Sequence, residues 1–505
     1  MKFLMSLLSA LCMTILPSLA HAYLLENVCP PSCDVTTPDA HIQAFSAPAP
    51  INITSSGVLT VDSPGLFDYF GYLINSGRFD NNGDTINSGQ IENDTTFNNQ
   101  GTIENLYLIL NLAGTLNNNA GGRITIDARG NLFNSINGTI NNNTGSTIDN
   151  FGDMVNTEPG NVINNIGTLN NFNALENYGT LNNAGTINER GQITGSGIYT
   201  QTGGATQVDG TFIQDTLNIQ SGTFTQSGAT ALASSDAQSP IANAPPVETY
   251  ITSNVTNGGS VTINGNDMLV NGSFTNTGSV IIDGPTSELD VLGGYNQSGS
   301  GSKTLLNGGV LDPPSINITG GEFGGVGTII GDVTLTDTTL LVGNPSDPTG
   351  DLNIQGGLTQ TGGAIVFGIA SDGSGGFLSS NLMFDPGVNI NIAGADIIFN
   401  FANNIDPADF GLINLNDFLQ SSGSGDLASI FQGDTFLYQI GSGTYQNLSF
   451  DTSTGQLSIS SVPEPGTLWL FCGGGLMWFA FRVWRKRESH VLLAPGQLFP
   501  QMTKI

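Results

Sequence analysis

Positive charge is nearly missing from this chain. Only 11 Lys and Arg stand against 41 Asp and Glu in 505 residues, a net charge of −30. Between Tyr23 and Pro465 the basic residues are Arg78, Arg123, Arg129, Arg190 and Lys303, while every acidic residue except Glu488 lies in that span. Phosphate backbones are held by clustered Lys and Arg, so nucleic acid is disfavoured as a partner. Long-range repulsion also keeps such a chain soluble and away from anionic membrane surfaces. Charged residues of both signs make up only 10%, against about 25% in ordinary globular domains. The polar surface must therefore be built from Asn, Ser, Thr, Gly and Gln.

Histidine and cysteine are almost as scarce. His41 is the sole histidine between Tyr23 and Pro465 and sits in a Pro-rich stretch, which disfavours a Ser-His-Asp site. Cys12 and Cys472 fall in the apolar runs near the two ends, leaving Cys29 and Cys33 in Cys29-Pro30-Pro31-Ser32-Cys33. A metal pair would lack partners other than His41, and a thioredoxin-like pair has two intervening residues rather than three. An oxidising compartment favours a small Cys29–Cys33 disulfide loop that staples the N-terminal end.

Ligand patterns for metals are absent too. Asp80-Asn81-Asn82-Gly83-Asp84 opens like a calcium loop, but the glycine position is Thr85 and the twelfth position is Ile91. No metal and no cofactor are expected. Catalytic groupings fare no better. Between Tyr23 and Pro465 Arg123 and Arg129 are the closest basic pair, with Asp127 the only acid between them, and read as solvated charges. Glycoside hydrolysis needs two carboxylates about 5–9.5 Å apart on one face, and no pair stands out. No catalytic residue is assigned.

What the chain has in abundance is repetition. From Leu73 to Gly191 a phrase Gly-Thr-(Ile/Leu)-x-Asn recurs, as in Gly101-Thr102-Ile103-Glu104-Asn105, Gly138-Thr139-Ile140-Asn141-Asn142 and Gly185-Thr186-Ile187-Asn188-Glu189. Each copy reads as a short strand whose lone aliphatic points one way while Thr and Asn point the other. One apolar side chain per strand cannot hold a hairpin together. Stacked coils can, because the aliphatics form a continuous column and each backbone pairs with the coil above and below. Recurrent Asn suits left-handed turn positions and amide ladders between coils. The expected fold is all-β: a right-handed parallel β-solenoid (β-helix). A disordered Asn/Gly/Ser-rich tract is the competing reading, but disorder has no need of Ile or Leu at one place in every phrase.

The organisation follows from composition shifts. Residues 23–70 form an N-terminal segment or cap, 71–232 the Asn-rich solenoid, 233–247 an Ala/Ser/Pro-rich loop. Residues 248–376 form a second solenoid section, with phrases such as Gly357-Leu358-Thr359-Gln360-Thr361-Gly362-Gly363. Residues 377–461, denser in aromatics, form a C-terminal β cap that closes the last open edge.

The two ends carry export signals. Met1–Ala22 has one basic residue, an apolar stretch and a closing Ala20-His21-Ala22, the pattern of a signal peptide cut between Ala22 and Tyr23. Near the other end Val462-Pro463-Glu464-Pro465 precedes an apolar run and Arg485-Lys486-Arg487, with 488–505 as a tail extension. At 1.5 Å per residue a helix over 466–484 spans roughly 28 Å, enough for one transmembrane passage. The basic cluster places its end in the cytoplasm.

Those tail elements together resemble the PEP-CTERM sorting signal of Gram-negative bacteria. The resemblance implies processing by an exosortase near Pro-Glu-Pro, through an inner-membrane-anchored intermediate. It further implies delivery to the cell surface or an exopolysaccharide matrix. Gly324-Gly325-Val326-Gly327-Thr328-Ile329-Ile330-Gly331-Asp332-Val333 resembles the repeat phrase of autotransporter passenger domains, which are secreted β-helices. The resulting expectation is an exported structural or adhesive protein, with extracellular polysaccharide or surface glycans as partners. A β-helix polysaccharide lyase or hydrolase is the alternative, and a passive spacer the third reading.

Overall fold

The computed structural model describes residues 33–35, 40–47, 50–227, 249–344, 348–371 and 377–401, together with residue 434 and strands at 413–414, 419–421, 435–440, 446–451 and 456–459. Every regular element among them is a β-strand, most only three to five residues long. They build a parallel β-solenoid of about 14 turns.

Three strands make one turn, so three parallel ladders run the length of the body. The first ladder passes through Arg78–Asn81, Thr96–Asn99, Thr115–Asn118, Thr139–Asn142, Val162–Asn165 and Thr180–Asn183. The second passes through Asp84–Asn87, Thr102–Asn105, Arg123–Ile126, Thr147–Asn150, Thr168–Asn171 and Thr186–Glu189. The third passes through Tyr72–Asn75, Gln90–Asn93, Leu108–Leu112, Asn131–Ser135, Asp153–Asn156 and Ala174–Asn177. The six-residue spacing of the phrase is therefore one side of a coil, not a whole coil. The longer spacings arise where a corner takes extra residues, as at Asn119–Gly122 and Thr157–Asn161.

The phrase begins with glycine because successive corners stack backbone on backbone. A Cβ on Gly101 would lie 1.9 Å from the Gly83 carbonyl oxygen, and one on Gly185 would lie 2.1 Å from that of Gly167. The Gly324-Gly325-Val326-Gly327 run has another cause. Its strand, Glu322–Ile330, pairs with coils on both the second and third ladders, and the bend is made with φ of 118°, 119° and 144° at the three glycines. Positive φ of this kind is open to glycine and strained for other residues.

The core is a continuous column of aliphatics and rings, including Ile103, Leu116, Ile124, Phe97 and Phe79, all buried. Phe79 and Phe97 stack with centroids 4.6 Å apart. One sequence expectation is corrected here: the terminal Asn of the phrase faces inward beside the aliphatic, and only Thr and the variable residue face out. Asn81, Asn99, Asn118, Asn142 and Asn183 are completely buried. The reason is the two-residue period of a strand, since Asn105 lies two residues beyond Ile103 and so shares its face.

The parallel ladders extend beyond the Asn-rich tract. Strands Ala40–Ala47 and Val58–Tyr69 already pair in parallel, and so do Asp396–Phe401 and Thr435–Ile440. Antiparallel pairing enters between Ala364–Ser371 and Phe377–Ser379 and recurs near the end, between Thr435–Ile440 and Gln446–Asp451 and between Gln446–Asp451 and Gln456–Ile459. The loop expected at 233–247 lies outside the described residues.

Candidate functional site

A buried primary amide costs about 1–3 kcal/mol per unmet hydrogen bond, so a column of inward Asn side chains demands a partner for each group. The coils supply it. Along the first ladder Asn81 Nδ2 donates to Asn99 Oδ1 at 2.7 Å, Asn99 to Asn118 at 2.7 Å, Asn118 to Asn142 at 2.9 Å, Asn142 to Asn165 at 2.7 Å, and Asn165 to Asn183 at 2.8 Å. The second Nδ2 hydrogen goes to a main-chain carbonyl in the next coil, for example from Asn81 to Thr102 at 2.9 Å and from Asn118 to Thr147 at 2.9 Å. The third ladder repeats this from Asn75 through Asn93, Asn111, Asn134 and Asn156 to Asn177.

The second ladder's column is broken and ends in an acid. Ile126 interrupts it, and Asn150, Asn171 and Glu189 close it, with Asn171 Nδ2 donating to Glu189 Oε2 at 2.7 Å. Glu189 is completely buried, and the next residue on its row is Val208. Its Oε1 makes no hydrogen bond of ordinary geometry among the described residues. Burial holds the carboxyl well above its ordinary range, and the charge of Asp209 adds to this, partly offset by hydrogen bonds from Asn171 and Gly191.

Buried hydroxyls close two further amide rows. Tyr199 OH and Thr206 Oγ1 are hydrogen-bonded, Thr206 Oγ1 donates to Gln201 Oε1 at 2.9 Å, and Asn183 Nδ2 donates to Thr206 Oγ1 at 3.0 Å. Tyr295, Thr304, Gln297 and Asn276 repeat the arrangement. Burial raises the pKa of both phenols. The chain itself shows why the partners come together. Tyr199-Thr200-Gln201-Thr202-Gly203-Gly204-Ala205-Thr206 recurs as Leu358-Thr359-Gln360-Thr361-Gly362-Gly363-Ala364-Ile365 with both hydroxyl residues replaced by aliphatics. Thr206→Ile alone is thus expected to destabilise the body by about 1–3 kcal/mol, because it leaves the Tyr199 hydroxyl only its 3.4 Å bond to Gln201 Oε1 and takes an acceptor from Asn183. Tyr199→Leu with Thr206→Ile should recover the share of that loss due to the Tyr199 hydroxyl, read as the midpoint of thermal unfolding. A double variant no more stable than the single would contradict the pairing.

The outward faces carry a second set of amides. On the first ladder Asn98 donates to Asp80 at 2.8 Å, Asn117 to Asn98 at 2.9 Å, Asn141 to Asn117 at 2.8 Å, Asn164 to Asn141 at 2.9 Å and Asn182 to Asn164 at 2.9 Å. Thr96, Thr115, Thr139 and Thr180 stand beside them on the same strands. The second ladder continues the theme through Asp149, Asn170 and Asn188. At about 4.8 Å per coil this is a regular strip of amides and hydroxyls. A row of this kind could be read from the sequence once strand periodicity is applied to the phrase.

Arg123 and Arg129 do not converge. Arg123 stands on the second ladder and pairs with Asp149 of the next coil at 2.6 Å, whereas Arg129 sits at a corner 4.0 Å from Asp127. Asp80, which opened the calcium-like stretch, is held by Arg78 and Asn98. Among the described residues no cluster of three or more His, Cys, Asp or Glu side chains is placed to hold a metal ion. Cys33 opens a strand parallel to Ile51–Ile53. Cys29, the Ala22–Tyr23 junction, Val462, Pro463, Glu464, Pro465, the 466–484 helix and Arg485, Lys486 and Arg487 lie outside the described residues. Among the described residues no helix is long and apolar enough to cross a membrane.

Comparison with known proteins bears on the tail. Residues 461–487 match the PEP-CTERM protein-sorting motif. No curated protein matches the chain. The motif implies export to the cell surface through a membrane-anchored intermediate, with exosortase processing.

Proposed function

We propose that the delivered solenoid is a structural or adhesive protein of the cell surface or extracellular matrix that holds polysaccharide or surface glycans along its polar faces. The outer amide row from Asp80 to Asn182 supports this reading. Each primary amide offers two donors and two acceptor positions, and its ladder bond uses only one of each. The row is held in register by the coils, so little side-chain freedom is lost when a hydroxyl-rich polymer lies along it. The uncharged row from Asn98 to Asn182 suits the same ligand, because uncharged sugars are recognised by such amides and hydroxyls. In this reading the body has no catalytic role and needs no cofactor. A lyase or hydrolase is the rival reading.

The exported protein should be retained by the producing cell's own extracellular polysaccharide, and Asn117→Ala with Asn141→Ala should weaken that retention roughly tenfold without loss of folding. Unchanged retention would remove the amide row from the proposal. Polysaccharide turnover that disappears in Arg123→Ala would instead favour the enzyme. Mass spectrometry of the exported C-terminus should find the chain ending near Pro463. Recovery of an intact Leu468–Arg487 would argue for a permanent anchor.

A further inference from the structure

The three outer faces are not alike. Outward positions on the first two ladders are mainly Thr and Asn, but on the third ladder the row through Leu110, Phe133 and Val155 is aliphatic and aromatic, with Asn131, Ser135 and Asp153 beside it. In Leu108-Ile109-Leu110-Asn111-Leu112 the buried residues are Ile109 and Asn111, which sends all three leucines outward, half-buried. Phe133 and Val155 occupy the same row, Leu110 pairing with Phe133 and Phe133 with Val155 in register. Tyr107 and Ile136, at the corners on either side, are 54% and 55% exposed. Nothing in coil closure requires this. Equivalent positions one coil earlier are Gln90 and Glu92, and beyond Val155 they are Ala174 and Glu176. A contiguous apolar patch between polar coils marks an interaction site.

The patch ends in carboxylates at both axial ends. Glu92 pairs with Leu110 on one side and Glu176 with Val155 on the other. Asp94, Asp153 and Glu158 complete the rim. Glu92 is bonded to the Tyr72 hydroxyl, and burial together with the Glu92 charge holds Asp94 above its ordinary range. Arg129, at the corner before Asn131, is held beside Asp127. Negative charge is therefore concentrated around an apolar strip and left for a partner to neutralise.

We infer that the outer face of the third ladder between Leu108 and Val155 docks a cationic amphipathic peptide segment of another protein. Aliphatic or aromatic anchors of that segment lie on Leu110, Phe133 and Val155, and flanking Lys or Arg meet Glu92 and Glu176. A second copy of this chain is disfavoured, because the carboxylate rims of two copies would be brought onto one another. The inference stands apart from the glycan reading, which concerns the first and second ladders.

The test uses the full exported chain with a Leu/Lys amphipathic peptide as probe and a Leu/Glu peptide of equal length as control, titrated by calorimetry. Binding of the Leu/Lys peptide alone is expected, weakening as salt is raised. Leu110→Asn with Phe133→Asn should lower affinity at least about tenfold, since Asn is the ordinary outward residue of these coils. Glu92→Gln with Glu176→Gln preserves shape and should lower affinity and flatten the salt dependence. The inference would be overturned by equal binding of both peptides, unchanged affinity in both double variants, or sedimentation of the wild-type chain as a dimer that Leu110→Asn dissolves. Loss of polysaccharide retention, but not of peptide binding, in the leucine variant would also assign the face to glycan instead.

Discussion

Asn118→Leu is expected to cost the solenoid about 2–4 kcal/mol, although leucine has nearly the shape of asparagine and is the more apolar residue. Asn118 is completely buried. It accepts from Asn99 Nδ2 at 2.7 Å, and its own Nδ2 donates to Asn142 Oδ1 and to the Thr147 carbonyl, each at 2.9 Å. Leucine leaves one Asn99 N–H and the Thr147 oxygen without these bonds in a site closed to water. Asn142 is less affected, because the Ser146 hydroxyl also donates to its Oδ1 at 2.7 Å. An amide chain polarises along its length, so the break should be felt in adjacent coils as well. The neighbouring outward residue is the control. Asn117 has the same kind of ladder bonds but water within reach, so Asn117→Leu should cost less than about 1 kcal/mol. Thermal unfolding gives the totals, and hydrogen exchange over 96–150 shows where the coils open. Equal costs at the two positions would show that the inward column does not hold the coils in register.

The second large effect is a gain. Glu189→Gln should raise stability at neutral pH by about 1–3 kcal/mol and remove part of the chain's pH dependence. Its folded-state carboxyl titrates above the ordinary value of 4.5, chiefly because it is buried. The folded state thus holds this proton more tightly than the unfolded state does. Below about 4.5 both states are protonated and the stabilising contribution is complete. As pH rises the unfolded chain ionises first, and stability falls until the folded carboxyl ionises too. Wild type and variant should therefore have similar melting temperatures at low pH and diverge upward from about 4.5. Glutamine also completes the amide row, since it accepts from Asn171 as the acid does and needs no charge. Asp267, Glu288, Asp290 and Asp434 are raised as well, mainly by burial, and contribute a shared background that cancels in the comparison. Parallel melting curves across the whole pH range would show that Glu189 is not the group responsible.

Much of the architecture was open to a reading of the residues. One Ile or Leu per short phrase, bounded by glycine, has no stable use except in stacked coils, and Gly101 sits where the phrase needs a side chain of no volume. The inward sense of Asn105 is equally implicit in the phrase, because a residue two beyond Ile103 must share its face. The partnership of Tyr199 with Thr206 was less accessible. The two lie on different sides of one coil, and only the matching Leu358 and Ile365 of the later phrase hint that they belong together.

By itself, then, the sequence determined the parallel stacking, the acidic and lysine-poor character and the sorting tail, since each rests on residue type and local spacing. Tertiary structure alone decided which strands share a ladder, and so which faces are polar and which is apolar. Leu110, Phe133 and Val155 are separated by 23 and 22 positions in the chain and become neighbours only because each coil takes three sides to return. It also decided that Glu189 closes an amide column without a countercharge. That outcome depends on what the next coil places above it, and the next coil places Val208.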